Sequence, residues 1–222
     1  MPLAHPPAEQ ALDRDRIVAA ALTIVASEGV DALSMRRLAR TLDTAPMSLY
    51  RHVRDKDELL ELVVDAIALR LPLPAAAAAW DDEVRGALRA IRRLLLAHPG
   101  IASLAAVRAP STPAVITLVE RILEALRRAG LREAESAAAL AVLWNATLGM
   151  VLIEEAQLAA HGAQGLAAVR EAVAEAFAAG AGGAHPQVAA VTPHMAAMDS
   201  DAEFEATLAT LVAGLGAGLG RD

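Results

Sequence analysis

The sequence predicts an all-α chain, and three observations carry that prediction. Alanine and leucine dominate a composition that is 55% apolar yet only 2% aromatic; scarce aromatic and β-branched residues favour helices over sheets. Apolar residues recur at helical spacing in segment after segment. Capping residues precede those segments, and glycine or proline follows them. The predicted architecture is an N-terminal three-helix helix-turn-helix head, joined by a connector helix to a C-terminal helical domain. Residues 1–12, rich in Pro and Ala, are expected to form a disordered arm, residues 13–55 the head, 56–79 the connector helix and linker, and 80–222 the second domain.

The first helix is expected from Asp13 to Glu28, with Ile17, Ala20, Ala21, Ile24 and Val25 on one face and Gly29 as its stop. Ser34 caps a second helix running to about Leu42. Asp43-Thr44-Ala45 is a tight link, and Pro46 suits the first turn of a brief third helix ending near His52. Asp55 and Glu58 have capping-box spacing for the connector helix, whose apolar residues are Leu59, Leu60, Val63, Ile67 and Leu71. Pro72 and Pro74 stop it.

Asp81 and Asp82 open a helix that buries Val84, Leu88, Ile91 and Leu95, and His98-Pro99-Gly100 breaks it. A short helix covers about 101–107. Ser111 or Thr112, with Pro113, starts another that ends at Arg127, Arg128 and Gly130. A long helix is expected over 133–160 and a further one over 166–179. Residues 180–198, with their glycines and two prolines, read as a mobile loop. A last helix spans about 199–219.

Charge is distributed unevenly. Residues 34–56 carry Arg36, Arg37, Arg40, Arg51, Arg54 and Lys56 against Asp43 and Asp55, a net +4 within a chain of net −7. Lys56 is the sole lysine. A local cationic surface on an acidic protein points to a polyanion docking at one place. Leu38, Leu42, Leu49 and Val53 are spaced to pack the second and third helices together. Pro46, Met47, Ser48, Tyr50 and Arg51 are then left facing outward. A short, exposed helix with flanking cations suits the major groove of duplex DNA, where its side chains reach base edges while neighbours hold phosphates.

Other classes recede. There is no cysteine, which excludes disulfides and thiolate metal sites. The first residues contain no apolar stretch resembling a secretory signal, so the expected location is the cytoplasm. Ser136 to Ile153 is an uncharged run of 18 residues, at the lower edge of what a bilayer requires. It contains Asn145 and Thr147 and lacks a basic flank beyond Arg132, so a buried core helix is the better reading. No GxSxG, HExxH, P-loop or dinucleotide fingerprint is present, and no enzymatic activity, cofactor or metal site is expected.

The stretches IVAAALTIVASEGVDALSMRRLARTL and APMSLYRHVRDKDELLELV resemble the DNA-binding head of the TetR family of bacterial transcriptional repressors. The resemblance covers about a quarter of the chain. It implies that Arg36, Pro46, Met47, Ser48 and Arg51 face base edges and that Ser34, Tyr50, His52 and Lys56 hold phosphates. Asp43 stands where that family usually has glycine; Asp tolerates left-handed backbone less well than glycine but better than most residues.

The resemblance also implies a C-terminal domain that dimerises and encloses a ligand pocket. Small residues on the 133–160 and 199–219 helices, among them Ala206, Ala213 and Gly214, would permit close approach of two subunits. The order LLLAHPG, PSTP, TLGMVLIEEAQ is similar to the tetracycline-repressor branch. His98 matches a drug-binding histidine there. Ile153 falls where that branch has a glutamate, and Pro72 near a second histidine, so tetracycline–magnesium binding is not expected. Candidate ligand contacts are His98, Arg108, Trp144, Asn145, Thr147, Met150 and Glu154. Glu154 and Glu155 also read as solvated or capping charges. The expected function is a ligand-responsive repressor that binds a palindromic operator as a homodimer and is released by a small apolar effector. The alternative is a DNA-binding regulator controlled by a protein partner.

Overall fold

The computed structural model describes residues 12–72, 79–108, 111–181 and 184–218. Nearly all of the expected N-terminal arm and most of the linker, 73–78, lie outside the described residues. The described residues form helices without a strand.

Helices α1 (Arg14–Glu28), α2 (Met35–Thr41) and α3 (Pro46–Leu49) build the head. Asp13 caps α1 by accepting from the Arg16 N–H at 2.8 Å. Gly29 ends it at φ +82°, a backbone conformation glycine adopts without strain. A 3₁₀ turn, Val30–Ala32, follows. The Ser34 hydroxyl accepts from the Arg37 N–H at 3.2 Å, as its position before α2 suggests. Asp43 sits at φ +49°, the left-handed conformation foreseen at the helix end. Helix α3 is shorter than expected. It ends at Leu49, and Tyr50 to His52 form a turn. Ile17, Leu38, Leu49 and Leu59 are fully buried and fuse the head with the connector helix α4 (Lys56–Leu69).

The capping box at α4 forms only in half. Asp55 Oδ1 accepts from the Glu58 N–H at 2.8 Å. Glu58 reaches past Asp55 and accepts from the Arg54 N–H at 2.6 Å.

The C-terminal domain comprises α5 (Trp80–Leu96), α6 (Ile101–Arg108), α7 (Pro113–Arg128), α8 (Glu133–Ala181), α9 (Pro186–Ala197) and α10 (Ser200–Gly218). Thr112 is the cap of α7, preceding Pro113 at the first position. The two helices expected over 133–160 and 166–179 are both present, end to end in α8, and are divided by non-helical backbone at Gly162, where φ is +66°. The expected loop at 180–198 is replaced for most of its length by α9. Pro186 occupies the first helical position, which suits a fixed φ and a missing N–H. Pro193 lies inside the helix at a cost of about 3 kcal/mol, offset by packing against α8. Sequence punctuation alone does not reveal that packing.

The segment Glu133–Gly162 of α8 is long and apolar enough to cross a membrane. Here it packs in the domain: Leu143, Thr147, Leu148 and Val151 are buried, and α5, α6, α7 and α10 contact the helix.

Candidate nucleic-acid interface and effector domain

Helix α3 has four residues and is held from beneath. Leu49 is fully buried and Val53 nearly so, anchoring both ends of the turn that carries Tyr50, Arg51 and His52. Met47 is 73% exposed and Tyr50 45% exposed. Exposed apolar side chains are ordinary when they stand singly; here Met47 and Tyr50 are accompanied by the exposed cation Arg51 on the same short segment. Pro46, Arg51, Ser34, Arg36 and Lys56 are exposed, while Ser48 and His52 are half-buried. The nine residues singled out for contact with DNA thus come from α2, α3, the turn after it and the first residue of α4. Ser34 and Lys56 also carry local structural duties, the first as a cap and the second as the opening of a helix.

Glu58 locks this surface together, a role that its capping-box spacing did not disclose. Besides the Arg54 N–H, its carboxylate takes Arg54 Nε at 3.1 Å and Arg14 at 2.5 Å. Arg14 also donates to the His52 carbonyl at 3.3 Å. The hydrogen bond from the Arg54 N–H, together with both guanidiniums, holds the Glu58 carboxyl below its ordinary range against the opposing effect of burial.

The effector-domain candidates do not converge. Thr147 is buried, with its hydroxyl donating to the Leu143 carbonyl at 2.9 Å. Trp144 and Met150 pack against the core, whereas Asn145 is exposed. His98 Nδ1 lies 2.8 Å from the Leu94 carbonyl. Arg108 is at the boundary with the head, paired with Asp57 of α4 at 2.8 Å. Glu154 is not a solvated or capping charge: it is half-buried and pairs with Arg92 at 2.8 Å. Glu155 does cap, accepting from the Gly100 N–H at 3.1 Å, but from inside a half-buried site. Ile153 is exposed and apolar, and no cluster of three metal-ligating side chains occurs among the described residues.

Two buried charges escaped the sequence reading. Arg92 bridges Glu154 of α8 and Asp201 of α10, the latter at 2.6 Å, and lies 5.0 Å from the Phe204 ring centroid. Glu83 is 4% exposed and takes both Arg121 and Arg128 of α7. Their signal was present: Arg92 follows Leu88 by one helical turn, and Glu83 precedes Ala87 and Ile91 on the same stripe. A charge on an apolar stripe marks a buried pair.

Several clefts open on the domain, and two lie against α8 near its start. One of about 490 Å³ lies between the start of α8 and the end of α10, lined by Leu131, Ala139, Val142, Leu143, Leu211 and Gly214 among others. Another, of about 780 Å³, lies between α5, α7 and α8 around Glu83, Arg121 and Arg128.

Over residues 17–63 the chain matches the family described as bacterial regulatory proteins, tetR family. Over residues 73–219 it matches the tetracyclin repressor-like C-terminal domain. A transcriptional regulator of Saccharopolyspora erythraea, of the helix-turn-helix type, is 38% identical over 145 residues, 64% of this chain and 61% of that one. The chain spans 52% of the length of a second curated relative. Among solved structures, the Streptomyces coelicolor protein ActR in complex with actinorhodin aligns with a TM-score of 0.82 at 33% identity, over 95% of this chain and 100% of that one. BioQ with its double-stranded DNA operator aligns with a TM-score of 0.60 at 36% identity, over 67% and 89% of the two chains.

Proposed function

The chain belongs to the TetR family of bacterial transcriptional regulators, and from that premise we propose that it is a ligand-responsive repressor acting as a homodimer on a palindromic operator. The observation that carries this reading is the exposure of Met47 and Tyr50 on a short helix whose other side, Leu49, is sealed in the core. In this reading Arg36, Pro46, Met47, Ser48 and Arg51 meet base edges, while Ser34, Tyr50, His52 and Lys56 hold phosphates. A palindrome calls for a two-fold protein. The α8–α10 cleft with its half-exposed Val142 is the surface we assign to the second subunit.

The effector is assigned as a small, largely apolar molecule, a reading supported by the apolar character of α8, whose Trp144, Met150 and Leu152 pack against the core. ActR with actinorhodin is a structural neighbour that supports a small ligand over a protein partner. Effector and operator must oppose each other by linkage: a ligand that favours one placement of the heads weakens DNA binding by the same factor that DNA weakens the ligand.

Selection of duplexes from a random-sequence library, followed by footprinting, tests the first half. A symmetric protected site is expected, with two half-sites about 10 base pairs apart or a multiple of that spacing. Failure to enrich any symmetric sequence would contradict it. A thermal-shift screen against lipophilic drugs and metabolites tests the second half, because a molecule bound only by the folded form raises its melting temperature. A hit must then weaken binding to the selected duplex.

A further inference from the structure

The head touches the C-terminal domain at a second place besides α4. The Val30 N–H, in the 3₁₀ turn between α1 and α2, donates to the Pro99 carbonyl at 3.0 Å. Pro99 belongs to the turn between α5 and α6. Gly100 follows at φ +86°, and a Cβ placed there would sit 2.4 Å from Val30 Cγ1. Gly29 makes the complementary approach, since its added Cβ would lie 3.4 Å from the Pro99 carbonyl. The Gly29 distance is an ordinary contact, so it is Gly100, by its φ and by the space Val30 takes, that lets the two segments meet.

The far side of the same turn is held by α8. The Gly100 N–H donates to Glu155 Oε1 at 3.1 Å. This contact is the one polar partner of Glu155 among the described residues; the neighbouring cation Arg92 is engaged with Glu154 and Asp201. Burial lifts the Glu155 carboxyl above its ordinary value, and the single bond from Gly100 only partly opposes that. Half-burying a carboxylate for one backbone N–H is costly.

We propose that Glu155 is a coupling residue: its carboxylate pins the Pro99–Gly100 turn, the turn holds Val30, and the head's angle thereby follows the position of α8. The chain of contacts is Glu155, Gly100, Pro99, Val30, and four residues on from Val30 stands Ser34, the cap of α2. This route is separate from the connector helix, which packs against α7 and whose polar ties to the C-terminal domain include Asp57 with Arg108 and Asp65 with the Ala114 N–H. It deepens the reading of the chain as ligand-responsive and rests on it, because α8 runs through the centre of the C-terminal domain, in contact with α5, α6, α7 and α10. A molecule that shifts α8 moves Glu155 with it and releases or tightens the head.

Amide hydrogen exchange on the full-length ¹⁵N-labelled protein tests the mechanical tie without DNA or effector. In Glu155→Ala, the Gly100 and Val30 amides are both expected to exchange about tenfold faster or more, the scale of one lost charge-assisted hydrogen bond. Glu155→Gln, which keeps an acceptor in place, is expected to exchange like the wild type. Glu155→Asp withdraws the carboxylate by one methylene and serves if the alanine variant does not fold; it is expected to free both amides. Acceleration at Gly100 with Val30 unchanged would reduce Glu155 to a local cap and overturn the proposal, as would no change at either amide. A second arm measures anisotropy with a duplex selected by the wild type. Glu155→Ala is expected to bind it about tenfold more weakly while Glu155→Gln matches the wild type; equal affinity of all three would overturn the coupling role. If the wild type selects no duplex at all, the repressor reading fails, and the exchange arm still decides whether Glu155 holds Val30.

Discussion

Gly100→Ala measures how closely the head and the C-terminal domain are fitted. The φ of +86° at Gly100 costs a residue with a Cβ about 1–2 kcal/mol. The new Cβ would also lie 2.4 Å from Val30 Cγ1, and overpacking of that kind costs about 1–3 kcal/mol. Together these amount to roughly 2–5 kcal/mol, a large share of the ~5–15 kcal/mol that holds a typical protein folded. Val30→Ala deletes the clashing methyl and leaves the Val30 Cβ 3.3 Å away, which a shift of a few tenths of an ångström relieves. In that background Gly100→Ala is expected to cost only the backbone share, ~1–2 kcal/mol. A double-mutant cycle should therefore return a coupling of about 1–3 kcal/mol. Urea unfolding followed by far-ultraviolet circular dichroism measures it, at one fixed protein concentration so that any association contributes equally. An equal cost of Gly100→Ala in both backgrounds would refute the claim that Val30 is what the glycine accommodates.

Leu49→Ala empties the fully buried seat of α3 and is expected to cost ~2–5 kcal/mol and to abolish duplex binding; wild-type thermal and urea midpoints would contradict the packing described. Burial pushes the Glu83 carboxyl up, but bonds from Arg128 and Arg121 outweigh it and hold the group below 4.5. Its folded value is therefore depressed, so the stability it confers is present above 4.5 and lost as pH falls through the lower value. Glu83→Gln should flatten the acid limb of stability against pH, measured by urea midpoints from about pH 6 down to about pH 3; an unchanged limb would show that Glu83 is not protonated in that range. Tyr50→Phe and Lys56→Gln are expected to weaken binding to all duplexes alike, whereas Met47→Ala and Arg51→Ala are expected to change the preferred sequence. A uniform loss from Arg51→Ala, across a panel of single-base variants, would remove it from the base-reading set.

Much of the head was legible because its signals are local. Asp13 and Ser34 cap helices through side chains three residues from the N–H they satisfy, Pro46 presets the first turn of α3, and Asp43 takes the left-handed conformation that a helix end demands. What escaped was set by partners far away in sequence. Helix α9 contains two prolines and forms because α8 lies beside it. Arg92 looks like any arginine until α8 and α10 bring Glu154 and Asp201 to it. The fit of Gly100 against Val30 has no local trace beyond a glycine after a proline. The ligand candidates depend on distant partners in the same way. Trp144, Thr147 and Glu154 fall on one helical stripe, but which face of a buried helix meets a cavity depends on neighbours. The stripe here is spent on core packing and on Arg92.

The claim on which the rest depends is that the cationic surface around α3 docks on duplex DNA. Fluorescence anisotropy of a labelled duplex against the full-length protein, over a salt series, tests it most directly. Binding is expected at low salt, with log affinity falling linearly in log salt by about 0.9 per phosphate neutralised, and with Lys56→Gln lowering that slope by about one. A duplex whose anisotropy stays flat at low salt, or an affinity indifferent to salt and to Lys56, would contradict the account.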